Sequence, residues 1–102
     1  MIGLLETQRE AIGKVCARYG VVRLDAFGSA LREDFNQKNS DVDLLVEFAP
    51  MELYARVDAY FDLRAELSAL LDREIDLVMV GAIKNPYISR DIERTKQLLY
   101  AS

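Results

Sequence analysis

Apolar side chains near the start of the chain recur with a helical period. Those that share one face are Leu4, Leu5, Ile12, Val15, Cys16 and Tyr19, whereas most charged side chains of this stretch fall on the opposite face. This segregation predicts an amphipathic helix whose apolar face contacts the core or a partner. Gly20 follows directly, and glycine suits the left-handed cap at which a helix ends.

Three apolar runs of strand length come after this helix. The run 21–27 is rich in β-branched and aromatic side chains, the run 41–48 is nearly continuous after an acidic start, and the run 75–80 closes at Gly81. Runs of this length and composition predict β-strands. The middle run, in which apolar residues hardly alternate with polar ones, is typical of a strand covered on both faces.

The segments between these runs predict helices and a loop. Ser29 begins a short helical turn, the polar stretch 33–40 predicts a loop, and the stretch 51–72 predicts the longest helix. Asn85 and Pro86 are a capping residue and a first-turn proline, so together they predict the start of a last helix.

The last predicted helix continues to the end of the chain, because one of its faces repeats at Ile88, Ile92, Thr95 and Leu99. The predicted order is therefore helix, strand, short helix, strand, helix, strand and helix. A chain of 102 residues is close to the commonest domain size. We therefore expect a single domain of the α/β or α+β class over residues 1–102.

One charged residue interrupts the apolar stripe of the longest helix. The stripe consists of Leu53, Val57, Tyr60, Phe61, Leu67 and Leu71, and Arg64 falls within it. Two interpretations stay open at this point. Arg64 either extends along the helix edge to water, as long basic side chains do, or points toward a functional site or a partner surface.

The composition excludes several kinds of chemistry. The chain contains no histidine, which excludes a Ser-His-Asp triad, a Cys-His pair and an imidazole zinc site. The single cysteine, Cys16, has no partner for an internal disulfide and is typical of a core residue. Catalysis would therefore have to come from carboxylates, hydroxyls, basic side chains and the backbone.

Charge and hydropathy limit the expected partners and location. The formal net charge of −4 argues against long nucleic acid as the main partner, because contacts to phosphates need a basic surface. A single nucleotide carried with Mg²⁺ fits an acidic chain, since the metal reverses the local charge. The sequence has neither an apolar run of bilayer length nor a signal-like start, so we expect a cytoplasmic protein that binds no membrane.

Two short motifs carry the candidate chemistry. Asp41 and Asp43 project to the same face of their strand, and the repulsion between them would be offset by one or two Mg²⁺ ions that also bind substrate phosphates. Gly28 lets the backbone approach a phosphate, and Ser29 adds a hydroxyl and the N–H groups of the following turn. Arg32, three residues further on, could reach the same phosphates.

Two more acidic residues lie within predicted strands. Asp76 interrupts the third run, and if that strand lies beside the second, Asp76 joins Asp41 and Asp43 as a metal ligand or as the base that accepts a proton from a hydroxyl. The alternative is a solvated residue at a strand start. Asp25 in the first run has no recognisable pattern around it, and its role stays open.

These motifs resemble the minimal nucleotidyltransferase (MNT) group of the DNA polymerase beta-like superfamily. The matching residues are Phe27, Gly28, Ser29, Arg32, the stretch 40–46 and the stretch 75–78. The resemblance implies a small mixed β-sheet with helices packed on it and a site for Mg²⁺ and a nucleoside triphosphate. It also implies that Asp41, Asp43 and Asp76 are the catalytic, metal-binding residues, in a site whose preceding loop is one residue longer than usual in the family.

Single-domain proteins of this kind resemble MNT antitoxins, which are paired with HEPN-domain ribonuclease toxins. The resemblance implies that AMP is transferred from ATP to a tyrosine of the toxin, which blocks the toxin. An acidic chain also suits a basic, RNA-binding partner. Two alternatives remain: an antitoxin that neutralises its partner by binding alone, and nucleotidyl transfer to RNA or to a small molecule.

Overall fold

A four-stranded sheet lies at the centre of the structure, a computed structural model that describes residues 2–31 and 41–102. Its strands are β1 (Val21–Ala26), β2 (Val42–Phe48), β3 (Ile75–Met79) and β4 (Gln97–Ala101), in the order β3-β2-β1-β4. β1 pairs antiparallel with both β2 and β4, whereas β2 and β3 run parallel. The expected mixed sheet is confirmed, and β3 and β4 form its edges.

Helices connect these strands. They are α1 (Ile2–Thr7), α2 (Arg9–Arg18), α3 (Leu53–Leu71) and α4 (Pro86–Thr95), with a short 3₁₀ turn at Gly28–Leu31. The opening segment predicted as one helix thus forms two, which meet at Gln8. Gly20 follows α2 with a φ of +74°, the left-handed conformation expected of it. In the part of the chain that the structure describes, no helix has the length and apolarity needed to cross a bilayer.

The hydrophobic core lies on one face of the sheet, beneath α2 and α3. Its members include Ile12, Val15, Cys16, Leu24, Val42, Leu44, Val46, Leu63, Leu67, Leu71, Leu77 and Leu99. Burial raises the pKa of the Cys16 thiol to about 12, as suits an inert core residue. On the opposite face, Leu45 is buried and lines a cavity of about 90 Å³ together with Ile92 of α4. The centre of β2 is therefore covered on both faces, as its sequence predicts.

The N-terminal half of α3 departs from the prediction. Leu53, Val57 and Phe61 of the predicted stripe remain exposed. Leu67 and Leu71 are buried as predicted, together with Ala59 and Leu63, which the predicted stripe does not include. The prediction fails here because α3 carries apolar side chains around much of its circumference. Its sequence alone then does not decide which apolar side meets the sheet.

The end of the chain is a strand, so the prediction of a helix to the last residues is wrong. α4 ends at Thr95, and Lys96 takes extended backbone angles (φ −59°, ψ 150°). β4 then pairs along β1, and Leu99 is buried in the core. The helical spacing of Ile92, Thr95 and Leu99 is outweighed because β4 satisfies the backbone hydrogen bonds of β1, which would otherwise be an edge strand.

Asp25 is the only charged residue that is buried within residues 2–31 and 41–102. Its carboxylate accepts hydrogen bonds from Arg23 Nε at 2.9 Å and Arg23 Nη2 at 3.1 Å. Lys96 Nζ lies 3.8 Å from Asp25 Oδ2. Since Lys96 joins α4 to β4, its ion pair with Asp25 ties the start of the last strand to β1 and gives Asp25 a structural role that its sequence context does not reveal.

Replacement of Asp25 by asparagine is expected to lower the free energy of unfolding by about 1–3 kcal/mol, because Arg23 and Lys96 would lose their anionic acceptor. Urea unfolding measures this change. The matched control is Asp91→Asn, which removes an exposed ion pair with Arg94 and should change stability by less than about 0.5 kcal/mol. Equal losses in the two variants would contradict a structural role for the ion pairs of Asp25.

Candidate functional site

The strand directions bring the motifs to one end of the sheet. β1 is antiparallel to β2, so the residues that follow β1 lie beside the start of β2, and the backbone N–H of Phe27 donates to the carbonyl oxygen of Asp43 at 3.1 Å. β3 is parallel to β2, so its first residues reach the same end. Gly28, Ser29 and the acidic starts of two strands thus come together although they are far apart in sequence.

Ser29 holds the carboxylate of Asp43. Its backbone N–H donates to Asp43 Oδ2 at 3.0 Å, and its hydroxyl lies 2.8 Å from the same oxygen. The hydroxyl also lies 2.5 Å from the carbonyl oxygen of Asp41, and it can donate to only one of the two at a time. The sequence predicts a phosphate-binding role for Ser29, whereas the structure gives it the further role of orienting Asp43.

Glycine is required at position 28 for two reasons. Gly28 has a φ of +55°, in the left-handed region that other residues rarely adopt. A Cβ atom at this position would also lie 2.7 Å from Asp43 Oδ2, closer than such atoms approach. Glycine is therefore needed both for the space that the Asp43 carboxylate occupies and for the left-handed backbone conformation of the turn.

Asp76 lies directly opposite Asp43 in the register of the two parallel strands. Asp76 is exposed, yet desolvation by its surroundings raises the pKa of its carboxyl group; the neighbouring Asp43 and the negative charge of Asp41 raise this pKa further, and Arg64 lowers it. Arg64 lies close enough to Asp76 to act on it electrostatically, but within residues 2–31 and 41–102 it forms no ion pair with an acidic residue.

The donor chemistry suits a divalent metal ion. Mg²⁺ prefers carboxylate oxygens and completes its coordination with substrate phosphates and water. Asp43 and Asp76 are adjacent in the register of β2 and β3, so a positive charge between the two carboxylates would relieve their repulsion. Among the residues that the structure describes, however, no group of three Asp, Glu or Cys side chains is gathered closely enough to hold a metal ion.

The structure thus brings together four of the six predicted site residues: Gly28, Ser29, Asp43 and Asp76. Asp41 lies next to them, because its backbone carbonyl oxygen is near the hydroxyl of Ser29, whereas the side chain of Asp41 is exposed. Arg32 and the predicted loop 33–40 lie outside the described residues. Arg64 belongs to neither motif; it lies in α3, close enough to Asp76 to act on it electrostatically.

Comparison with known proteins agrees with the resemblance. The profile of the family described as "Nucleotidyltransferase domain" matches residues 8–99. A relative in Methanocaldococcus jannaschii, named "Putative protein adenylyltransferase MJ0128", is 43% identical over 83 residues, which cover 81% of this chain and 79% of that protein.

Solved structures share the fold. One is described as a "putative minimal nucleotidyltransferase"; it is 32% identical, with a TM-score of 0.72, over 90% of this chain and 89% of that one. A chain from the complex of a tri-AMPylated Shewanella oneidensis HEPN toxin with an MNT antitoxin has a TM-score of 0.64 and covers 96% of this chain. The match spans 73% of that chain at 17% identity, so this second likeness concerns the fold alone.

The expected fold and family are therefore confirmed by a family profile, by a relative and by a solved structure. The profile covers nearly the whole chain, including both motifs and the third acidic residue. This chain belongs to the nucleotidyltransferase domain family and is a nucleotidyltransferase.

Proposed function

We propose that the chain transfers AMP from ATP, with Mg²⁺, to a tyrosine of a cognate HEPN-type ribonuclease toxin in the cytoplasm, and so acts as its antitoxin. The proposal rests on one observation: Ser29 holds the carboxylate of Asp43 by hydrogen bonds, and Asp43 lies directly opposite Asp76. The names of the relatives support it: one is called a protein adenylyltransferase, and another structure contains an AMPylated toxin with its antitoxin.

Each site residue has a role in this reaction. Asp41, Asp43 and Asp76 would hold Mg²⁺, which on binding neutralises the phosphates and their developing charge. Ser29 keeps the Asp43 carboxylate in place. Gly28 leaves the backbone open to the phosphates of ATP, and the predicted contact from Arg32 belongs to the same set.

The transfer itself exchanges one bond to phosphorus for another. The oxygen of the acceptor tyrosine bonds to the α-phosphorus of ATP, the bond from that phosphorus to the oxygen bridging to the β-phosphate breaks, and pyrophosphate leaves. Asp76 accepts the proton of the acceptor hydroxyl, since it lies opposite Asp43 at the same end of the sheet.

A second candidate function, neutralisation of a partner by complex formation alone, is favoured by one observation. The large apolar side chains of Leu53, Tyr54 and Phe61 are exposed on α3, and such side chains are typical of an interaction surface. The two candidates make different predictions for the same variant.

The Asp43→Asn variant is expected to lose AMP transfer at least 100-fold while it keeps the fold, because asparagine can still accept the hydrogen bonds of Ser29 but carries no charge for a metal. The test is the intact mass of the protein that the neighbouring gene encodes (the neighbouring protein), co-expressed with each variant. Asp91→Asn, an exposed change on α4, is the control and should transfer normally.

Normal transfer by Asp43→Asn would overturn the enzymatic proposal. If the wild-type chain protects cells from the neighbouring protein without any gain in its mass, and Asp43→Asn protects equally, neutralisation by binding alone is the function.

Gly28→Ala is expected to reduce transfer at least tenfold, because the added methyl group would displace the Asp43 carboxylate. Gly81→Ala is the matched control: Gly81 also has a positive φ, +91°, but a Cβ there meets nothing within 4 Å. Both variants should lose about 1–2 kcal/mol of stability from backbone strain. Loss of transfer in both, or in neither, would contradict the role of Gly28.

A further inference from the structure

One large apolar side chain of α4 is directed toward the sheet and is nevertheless half exposed. α4 contacts the sheet through Ile92, which is buried and lines a cavity together with Leu45 of β2. Ile88 precedes Ile92 by about one helical turn, so the two side chains leave the helix on nearly the same side. Ile92 is 7% exposed, whereas Ile88 is 52% exposed. The space between Ile88 and the sheet is therefore open to water.

The two flanks of α4 face opposite ends of the sheet. Ser89 and Glu93 line the cavity together with Val80, which follows the last residue of β3. Glu93 also acts electrostatically on Arg23, which lies near the start of β1 and thus at the same end of the sheet. Ile88 lies roughly 100–140° around the helix from Ser89 and Glu93. It therefore faces the other end of the sheet, where β2 and β3 begin.

Val78 forms the floor of this open space. Along β3 the side chains of Ile75 and Leu77 are buried in the core, so Asp76 and Val78 lie on the opposite face of the sheet. Val78 is partly buried and is the partner of Leu45 in the strand register. We call the space between Val78 and Ile88 the Val78–Ile88 cleft. Asp76 lies at its end, about 6–7 Å along the strand from Val78.

The geometry of the proposed transfer decides which reactant comes from this direction. In a displacement at phosphorus, the attacking oxygen and the leaving oxygen lie on opposite sides of the phosphorus atom. Ser29, proposed to bind the phosphates, follows β1, whereas Asp76 belongs to β3, and β2 lies between these two strands. With pyrophosphate leaving at Ser29 and the α-phosphorus at Asp43 of β2, the acceptor hydroxyl approaches from the side of β3. The Val78–Ile88 cleft lies on that side.

The chemistry of the cleft matches a phenol. A phenolic hydroxyl that attacks phosphorus needs a group that accepts its proton, and the carboxylate of Asp76 lies at the end of the cleft. The aromatic ring needs apolar contacts, and the branched side chains of Val78 and Ile88 provide them. A serine or threonine hydroxyl carries no such ring and would leave this apolar surface in contact with water. The cleft therefore favours tyrosine.

We propose that the Val78–Ile88 cleft is the acceptor subsite, which holds the ring of the tyrosine that receives AMP and places its oxygen at Asp76. The inference rests on the proposed function and adds to it a reason for the choice of tyrosine over serine or threonine. The bonds that change are those of the proposed transfer. The phenolic oxygen bonds to the α-phosphorus, its proton passes to Asp76, and pyrophosphate leaves.

The Ile88→Ser variant of the complete chain tests the wall of the cleft. We expect kcat/KM for the neighbouring protein to fall about tenfold, because the ring loses an apolar contact. The affinity for Mg²⁺-ATP, measured by calorimetry, should stay unchanged. Ile88→Leu keeps an apolar side chain and should stay within about twofold of the wild-type chain. The matched control is Val80→Ser: Val80 is 54% exposed but lies at the end of β3 away from Asp76, so transfer should be normal.

A small phenol tests the cleft without any transfer. On addition of N-acetyltyrosinamide, the methyl NMR signals of Val78 and Ile88 should shift, whereas N-acetylserinamide should leave them in place. Ile88→Ser should remove the shift at Val78. Equal shifts with the two compounds, or no shift with N-acetyltyrosinamide, would overturn the acceptor subsite.

The outcomes separate this inference from the proposed function. If N-acetyltyrosinamide binds in the cleft but the neighbouring protein gains no AMP, the subsite stands and the proposed transfer fails. If the neighbouring protein gains AMP at the same rate from Ile88→Ser, the transfer stands and the subsite fails. If Ile88→Ser weakens the binding of Mg²⁺-ATP instead, the nucleobase occupies the cleft and the acceptor subsite is overturned.

Discussion

The hydrogen bonds between Ser29 and Asp43 fix the geometry on which the candidate site depends. Ser29 comes just after β1, and Asp43 is near the start of β2, so the two residues meet only while these antiparallel strands keep their register. A slip of one residue would turn Asp43 toward the core and bring Leu44 to the opposite face. The register that buries Leu44 in the core therefore also directs the side chain of Asp43 toward Ser29. The core and the candidate site thus depend on the same strand register.

The acidic residues of the sheet occupy two contrasting electrostatic environments. Asp25 is buried, but Arg23 and Lys96 compensate its charge, so it stabilises the junction of β1 with the last strand. Asp43 and Asp76 lie next to each other, and desolvation together with the negative charges of Asp43 and Asp41 raises the pKa of Asp76. The charge of Asp25 is neutralised by residues of the chain itself, whereas the paired carboxylates of Asp43 and Asp76 favour the binding of a cation. This difference separates a structural carboxylate from those that we assign to the reaction.

α3 serves two surfaces at once. Leu63, Leu67 and Leu71 anchor it in the core, while Phe61 and its apolar neighbours stay in contact with water on another side. Apolar side chains are spread around much of the helix, so its core face is hard to recognise from the sequence. A partner that covers the second side would explain why apolar side chains lie there.

The sequence by itself determined the family, the first three strands, the cap at Gly20, the start of α4 and the residues of the two motifs. These features depend on local patterns: apolar runs, turn residues and the spacing of acidic side chains. Only the tertiary structure decided that residues 97–101 form a strand, because pairing with β1 outweighs their helical spacing. It also decided that Ser29 orients Asp43 and that Lys96 pairs with Asp25. Both contacts join residues from elements whose relative positions follow from sheet order and packing, which no local pattern in the sequence encodes.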